Sequence, residues 1–128
     1  MCKLFGTEYN APFGISPFGL QGLIWPNACE ILAHAAATSN IPFILSTVST
    51  ASIEGIATIT TVRAWFQLYN PAAERIRKDM LNRLEASGYT VLVLLCDVPA
   101  FDFRPRDIRN RLSMPPKMTF KNMVVLSR

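Results

Sequence analysis

The chain has 128 residues, of which half are hydrophobic and 17% are charged, and its formal net charge is +4 at pH 7. This length suits one domain with a modest core, and the composition excludes an intrinsically disordered chain. The longest apolar runs, such as VLVLLC, are too short to span a bilayer, and the first residues lack the pattern of a signal peptide.

Cysteine occurs at positions 2, 29 and 96, and no Cys-x-x-Cys motif is present. An odd number of widely spaced cysteines predicts neither a disulfide framework nor a zinc site. We therefore expect ordinary thiols, no metal ligands, and a reducing, cytoplasmic location.

The basic surplus is confined to the last fifth of the chain. Residues 104–128 carry seven Lys and Arg against one acidic residue, whereas residues 1–103 carry six basic against eight acidic residues. A basic tail of this kind could bind a polyanion, form a solvated loop, or face an anionic ligand. The aromatic residues in or next to it, Phe120 and Phe103, are too few and too scattered for a base-stacking platform, so no nucleic-acid partner is predicted.

In the first half of the chain, the pattern predicts two strands and a helix. The apolar runs over residues 12–17 and 42–48 indicate strands, and the residues between them predict a helix over 27–39. Asn27 follows a proline and is expected to be the helix N-cap. The side chains expected to face the core are Ile31, Leu32, Ala35 and Ala36.

In the second half, a short helix is expected to begin after Ser52 and end near residue 58. It is followed by a strand over 63–69, the clearest helix over 72–87 and a strand over 90–97. The apolar stripe of the longer helix consists of Ile76, Met80, Leu81 and Leu84, and Gly88 ends it. Residues 104–128 are expected to form a basic loop or tail.

Strand and helix thus alternate four times, which is typical of an α/β fold. The strand sequences FILST and VLVLL are continuously apolar, which indicates parallel strands buried on both faces. A (β/α)₈ barrel and a doubly wound sheet both fit this spacing. Neither a G-x-G-x-x-G sequence nor a Walker motif is present, which disfavours dinucleotide and P-loop sites.

Small or polar residues stand where each predicted strand ends. In parallel α/β folds these carboxyl ends meet at one edge, which is where ligands bind. The residues in question are Ser16 to Gly19, Ser46 and Thr47, Gln67 and Tyr69, and Asp97. Contact with solvent would explain one such end, but four together favour a ligand site.

Four motifs extend this pattern: APFGISPFGLQGL (11–23), ILSTVSTASIE (44–54), WFQLY (65–69) and DVPAFDFRPRDIRN (97–110). Through them the chain, from about residue 4 to 123, resembles the FMN-dependent α-hydroxy acid dehydrogenases and oxidases, the group of glycolate oxidase and L-lactate dehydrogenase. The resemblance implies a partial (β/α)₈ TIM barrel of about four β/α units, a single partial domain over 1–128. It also implies FMN at the C-terminal mouth, and oxidation of a lactate- or glycolate-like L-2-hydroxy acid to a 2-oxo acid.

The resemblance also implies roles for individual residues. The flavin would be lined by Pro17, Phe18 and Gly19 and hydrogen-bonded by Ser46 and Gln67, whereas Leu95 stands where the family often has a flavin-contacting threonine. For the substrate, the implied residues are Tyr69, which would donate its phenol, and Arg104, which would face the carboxylate. Asp97 would accept a hydrogen bond from a catalytic histidine.

That histidine, a lysine near the flavin and the phosphate site belong to the second half of the family's barrel, and the single histidine here, His34, falls on the first helix. We therefore expect a truncated or split half that binds FMN weakly or not at all and is inactive alone. It would associate with a second copy or a complementary half-barrel. The alternative is a non-catalytic remnant or interaction module.

Overall fold

The main structural element is a three-stranded parallel sheet, seen in a computed structural model that describes residues 1–61, 63–96 and 105–109, apart from the side chains of 107 and 108. The sheet consists of β3 (Ile44–Ser46), β4 (Trp65–Leu68) and β5 (Val91–Leu94), with β4 in the middle. Ser46 pairs with Gln67, and Gln67 with Val93. Because the strands are parallel, their carboxyl ends share one edge.

The first predicted strand is reduced to a single bridge. Ile15 pairs in parallel with Phe43, and its N–H donates to the carbonyl of Pro42 at 2.8 Å. The segment PFGISP has proline at both ends, and proline lacks the N–H that a strand ladder needs. Gly14 lies so close to Pro42 that a Cβ would be 2.4 Å from the Pro42 oxygen. Among the described residues, three strands and one bridge thus stand where four strands were predicted.

Three helices cover one face of the sheet: α1 (Ala28–Ser39), α2 (Ile53–Ile59) and α3 (Glu74–Ala86). All three lie within two residues of their predicted positions. Ser52 caps α2 as predicted, accepting a hydrogen bond from the N–H of Gly55 at 3.1 Å. The helix-facing core contains Leu45, Phe66 and Leu68 of the sheet together with Cys29, Ala33, Ala36, Ile53, Ile56 and Leu84 of the helices.

The predicted core face of α1 was partly wrong. The helix buries Cys29, Ala33 and Ala36, whereas Ile31 is 53% exposed. Small side chains at the contact allow the helix to pack closely, which a stripe chosen by hydrophobic size does not anticipate. Asn27 precedes the helix, but its φ of 55° is left-handed and its side chain makes no capping bond. A side-chain N-cap needs an extended backbone instead.

An N-terminal hairpin, which the sequence patterns did not predict, packs against the beginning of β4. Its strands are β1 (Cys2–Leu4) and β2 (Thr7–Tyr9), joined by a turn with positive φ at Phe5 and Gly6. Trp65 Nε1 donates to Tyr9 Oη at 3.2 Å, and the Phe5 and Trp65 rings meet edge to face at 5.2 Å. The hairpin therefore lies at the amino ends of the strands, opposite the predicted ligand edge.

Burial on both faces holds for β3 and β4 but is wrong for β5, where Leu92 is 48% exposed. Within the described part of the sheet, β5 is an edge strand with β4 as its neighbour. In the unit formed by residues 96–128, a short helix α4 (Pro105–Arg109) occurs where a loop was expected. No helix in the described ranges is long and apolar enough to cross a membrane.

An ion pair joins α2 to α3 and gives the fold a pH dependence. Arg83 donates from Nε to Glu54 Oε1 at 2.8 Å and from Nη2 to Glu54 Oε2 at 3.0 Å. These hydrogen bonds lower the pKa of Glu54 to about 2. An unfolded glutamate has a pKa of roughly 4.3, so the pair stabilises the fold above that pH and its contribution is lost as the pH falls towards 2.

We therefore expect Glu54→Gln to flatten the fall in melting temperature between pH 5 and pH 2, measured by circular dichroism. At pH 7 the variant should melt below the wild type by the same amount that this pair loses on acidification, and that amount should be small because both side chains are about half exposed. Glu74→Gln is the matched control, since Glu74 pairs with Lys78 inside α3 and its loss removes one surface carboxylate without separating two helices. An unchanged pH slope in Glu54→Gln would contradict this prediction.

Candidate cofactor site

The carboxyl ends of β3 and β4 bring together three of the predicted site residues. Ser46 ends β3 and pairs in register with Gln67, and its hydroxyl donates to Gln67 Oε1 at 3.0 Å. Tyr69 follows β4 directly and is 41% exposed. Since side chains alternate along a strand, Gln67 and Tyr69 lie on the same side of the chain. The predicted convergence of Ser46, Gln67 and Tyr69 at one edge is thus observed.

Ser46 and Gln67 lie on the face of the sheet that the helices do not cover. Their strand neighbours Leu45, Phe66 and Leu68 point into the helix-facing core, so alternation places the two polar side chains on the opposite face. Both residues are nevertheless buried. Two buried polar side chains at the end of neighbouring strands form a place where a ligand with polar edges could bind.

The amide nitrogen of Gln67 is buried, and within the described residues it has no hydrogen-bond partner. Leaving a buried amide donor unpaired costs about 1–3 kcal/mol, and most native groups avoid it. The other end of the same amide is held by Ser46, which fixes the direction of the free N–H groups. The geometry therefore presents a directed donor that needs an acceptor such as a carbonyl oxygen.

The loop after the first strand bridge docks onto the loop after β3. Leu20 N–H donates to the Val48 carbonyl at 3.0 Å. A Cβ on Gly19 would lie 2.6 Å from Val48 Cγ2, so only glycine permits this approach without displacing Val48. Pro17 and Phe18, just before this contact, are exposed. Pro17, Phe18 and Gly19 thus lie at the same edge as Ser46.

These features fit the ring of FMN. The pyrimidine edge of a flavin carries carbonyl oxygens that can accept from the Gln67 amide, and the ring is planar and apolar elsewhere. The exposed Phe18 ring offers an apolar surface beside the strand ends. The residues present are therefore compatible with the flavin ring, whereas none of the contacts described here identifies a phosphate site.

The structure does not add the remaining predicted residues to this cluster. Asp97 and Arg104 lie outside the described residues, so their predicted roles rest on the sequence alone. Leu95 N–H donates to the Leu68 carbonyl at 3.2 Å, which continues the β4–β5 ladder to the last residue before Cys96. His34 is exposed on α1, in the helix layer on the other side of the sheet.

Two buried or bridging polar residues were not assigned a role from the sequence. Gln21 follows the Gly19 loop, in a 3₁₀ turn (Gln21–Leu23), and is 4% exposed with an Oε1 that finds no partner in the described part of the chain. A glutamine in a loop is usually solvated, so the sequence pattern did not indicate that Gln21 is buried. Thr47 was recognised only as a polar residue at a strand end, but its hydroxyl contacts both Gln67 and Tyr69.

Cys29 behaves as an ordinary buried thiol. Burial raises its pKa, and the hydrogen bond that Ser49 Oγ donates to its sulfur at 3.3 Å opposes this only in part. A raised pKa keeps the thiol protonated and unreactive near neutral pH. Cys29 therefore serves packing between α1 and the loop after β3.

Comparison with known proteins gives a consistent result. A family profile described as FMN-dependent dehydrogenase matches residues 1–128. The (S)-mandelate dehydrogenase of Pseudomonas putida is 40% identical over 124 residues, which cover 97% of this chain and 31% of that protein. The 2-hydroxyacid oxidase 2 of Bos taurus is 35% identical over 119 residues, which cover 92% of this chain and 34% of that protein.

The fold is similar as well. The crystal structure of a soluble mutant of the membrane-associated (S)-mandelate dehydrogenase from Pseudomonas putida matches with a TM-score of 0.81 at 40% identity, covering 94% of this chain and 34% of that chain. Neighbours of this kind are TIM-barrel flavoenzymes, and the present chain is a partial α/β fold with a parallel sheet. The chain spans about a third of the length of the curated relatives it matches.

Proposed function

Since the chain belongs to the FMN-dependent dehydrogenase family, we propose that it supplies FMN-facing and substrate-facing residues to an enzyme that oxidises an L-2-hydroxy acid to a 2-oxo acid. The observation that carries this proposal is the buried Gln67 amide, whose N–H groups lack a partner in the described ranges and which lies at the edge shared with Ser46 and Tyr69. That edge is where parallel α/β folds bind ligands.

The residues proposed to contact the flavin ring are uncharged. Gln67 would donate from its amide to a flavin carbonyl, and Ser46 would orient that amide through the 3.0 Å bond to Oε1. Pro17, Phe18 and Gly19 would lie along the ring. When bound, FMN accepts the two electrons of the oxidation, whereas the protein binds and orients the reactants.

The residues proposed to contact the substrate or the catalytic histidine are Tyr69, Arg104 and Asp97, of which the last two lie outside the described residues. The Tyr69 phenol is exposed at the strand edge and would donate a hydrogen bond to a substrate oxygen. Arg104 would pair with the substrate carboxylate, and Asp97 would stabilise a protonated catalytic histidine. The names of the two relatives above, mandelate dehydrogenase and 2-hydroxyacid oxidase, support a 2-hydroxy acid as the substrate class.

We further propose that these 128 residues alone bind FMN weakly and do not turn over substrate. The single histidine of the sequence, His34, is exposed on α1 and is too remote from the strand ends to be the base. A complementary half-barrel would supply the missing groups, whereas association with a second copy would add only another His34. The cytoplasmic location expected from the thiol pattern remains a prediction.

Titration of the purified chain with FMN, followed by flavin fluorescence and absorbance, tests the proposal. We expect saturable binding with a dissociation constant of roughly 10–1000 μM, corresponding to about 4–7 kcal/mol of binding free energy. Adding L-lactate or (S)-mandelate should leave the flavin absorbance unchanged. Bleaching of the flavin by either acid would contradict the predicted inactivity, and no binding at millimolar FMN would contradict the site.

A further inference from the structure

Thr47 occupies the point where β3 leaves the sheet while β4 continues. Its backbone N–H donates to the Gln67 carbonyl at 3.0 Å, which is the last regular bond between the two strands. Immediately afterwards, Ser49 N–H donates back to the Ser46 carbonyl at 3.0 Å, so the chain turns away into a loop. The next rung of a parallel ladder would require a β3 acceptor for the N–H of Tyr69.

The Thr47 hydroxyl provides that acceptor. Tyr69 N–H donates to Thr47 Oγ1 at 3.0 Å, and the same hydroxyl donates to the Gln67 carbonyl. One side chain therefore holds the backbone on both sides of Leu68, in the segment that carries two of the candidate site residues. The hydroxyl uses its single proton toward Gln67 and a lone pair toward Tyr69, so its donor and acceptor functions are both engaged.

We propose that Thr47 is a positioning residue of the site: its hydroxyl extends the β3–β4 ladder by one rung and thereby fixes where the Gln67 amide and the Tyr69 phenol lie. This inference rests on the proposed function, in which Gln67 faces the flavin and Tyr69 the substrate. Thr47 itself touches neither group and acts only through the backbone of β4. Errors of a fraction of an ångström at such a site are costly, because its hydrogen bonds depend on geometry.

The test compares three variants. Thr47→Val removes the hydroxyl and keeps the branched shape, whereas Thr47→Ser keeps the hydroxyl. Thr60→Val is the matched control, since Thr60 is buried at the end of α2 and donates its hydroxyl to the Ile56 carbonyl at 2.8 Å, away from the carboxyl ends of the strands. Each variant is assayed for amide hydrogen exchange at Tyr69, for FMN affinity and for the shape of the bound flavin's visible spectrum.

We expect Thr47→Val to accelerate exchange at Tyr69 by about tenfold and to weaken FMN binding by a similar factor, the size expected for one lost hydrogen bond. The flavin spectrum should shift toward that of free FMN. Thr47→Ser should restore all three readouts, and Thr60→Val should leave them at wild-type values even if it lowers the melting temperature.

Unchanged exchange at Tyr69 in Thr47→Val would overturn the proposal, as would an FMN affinity no lower than that of Thr60→Val. A separate outcome tests the proposed function. If the wild-type chain does not bind FMN at all, the function is wrong, whereas the Tyr69 exchange rates still decide whether the hydroxyl orders the end of β4.

Discussion

Gln67→Leu is expected to weaken FMN binding by about 10- to 100-fold, because the leucine removes the only amide donor that the described strand edge directs at the ring. Stability should hardly change. In the unliganded protein the amide nitrogen has no partner among the described residues, so the variant loses mainly the Ser46 hydrogen bond, a net cost of about 0.5–1.5 kcal/mol that added apolar burial offsets. Fluorescence titration and urea unfolding measure the two effects separately.

Ser46→Ala is an informative companion to that variant. It removes the hydroxyl that orients the amide but keeps the amide itself, so the loss of FMN affinity should be smaller than in Gln67→Leu. If Gln67→Leu bound FMN as tightly as the wild type, the assignment of this amide to the flavin would be wrong, whatever the stability of the variant.

Phe66→Ala is expected to lower the free energy of unfolding by about 3–5 kcal/mol, the usual cost of emptying a buried phenylalanine site. Phe66 is 1% exposed and belongs to the core between β4 and the helices. Its ring also meets Tyr89 edge to face, with centroids 6.1 Å apart. Small domains have only about 5–15 kcal/mol of stability, so this loss is a large fraction of the total.

Phe13→Ala provides the matched control, since Phe13 is 67% exposed and its loss should change the unfolding free energy by less than about 0.5 kcal/mol. Urea denaturation followed by circular dichroism compares the two. Equal effects from both substitutions would mean that Phe66 does not lie in the core that positions β4 and, with it, Gln67.

The elements with strong local signals could be predicted from the sequence. The helix α3 has an amphipathic pattern and a glycine just after it, and α2 begins at a serine that caps it. The strands β3 and β4 were recognised because a continuous apolar run fits a strand buried on both faces. In each case the residues that define the element are neighbours in the sequence.

Other features depend on contacts between distant residues. The hairpin formed by β1 and β2 is held by Trp65, more than fifty positions further along, and its Phe5–Gly6 turn is not a typical hairpin sequence. The single bridge at Ile15 involves a close approach of Gly14 to Pro42, which lies 28 positions further along the chain. The prediction for the buried face of α1 relied on the size of apolar side chains. In the structure the helix packs closely through small residues instead.

The candidate site also combines features that the sequence predicted with features that only the structure shows. Polar strand ends predicted that Ser46, Gln67 and Tyr69 lie at one edge of the sheet, where the structure has them. The roles of these three residues came from the family resemblance and remain predictions. The lack of a partner for the Gln67 nitrogen among the described residues and the double contact of Thr47 could be found only in the structure, because both depend on the register between β3 and β4. A shift of one residue would turn Gln67 toward the helices.

The most direct test of the central claim is to map FMN binding residue by residue with two-dimensional NMR of the ¹⁵N-labelled chain. We expect the largest shifts at the Gln67 side-chain amide and at the backbone amides of Gly19, Val48 and Tyr69. Shifts concentrated at the opposite end of the strands, near Asn40, Thr61 and Arg63, would contradict it, as would the absence of any shift at millimolar FMN.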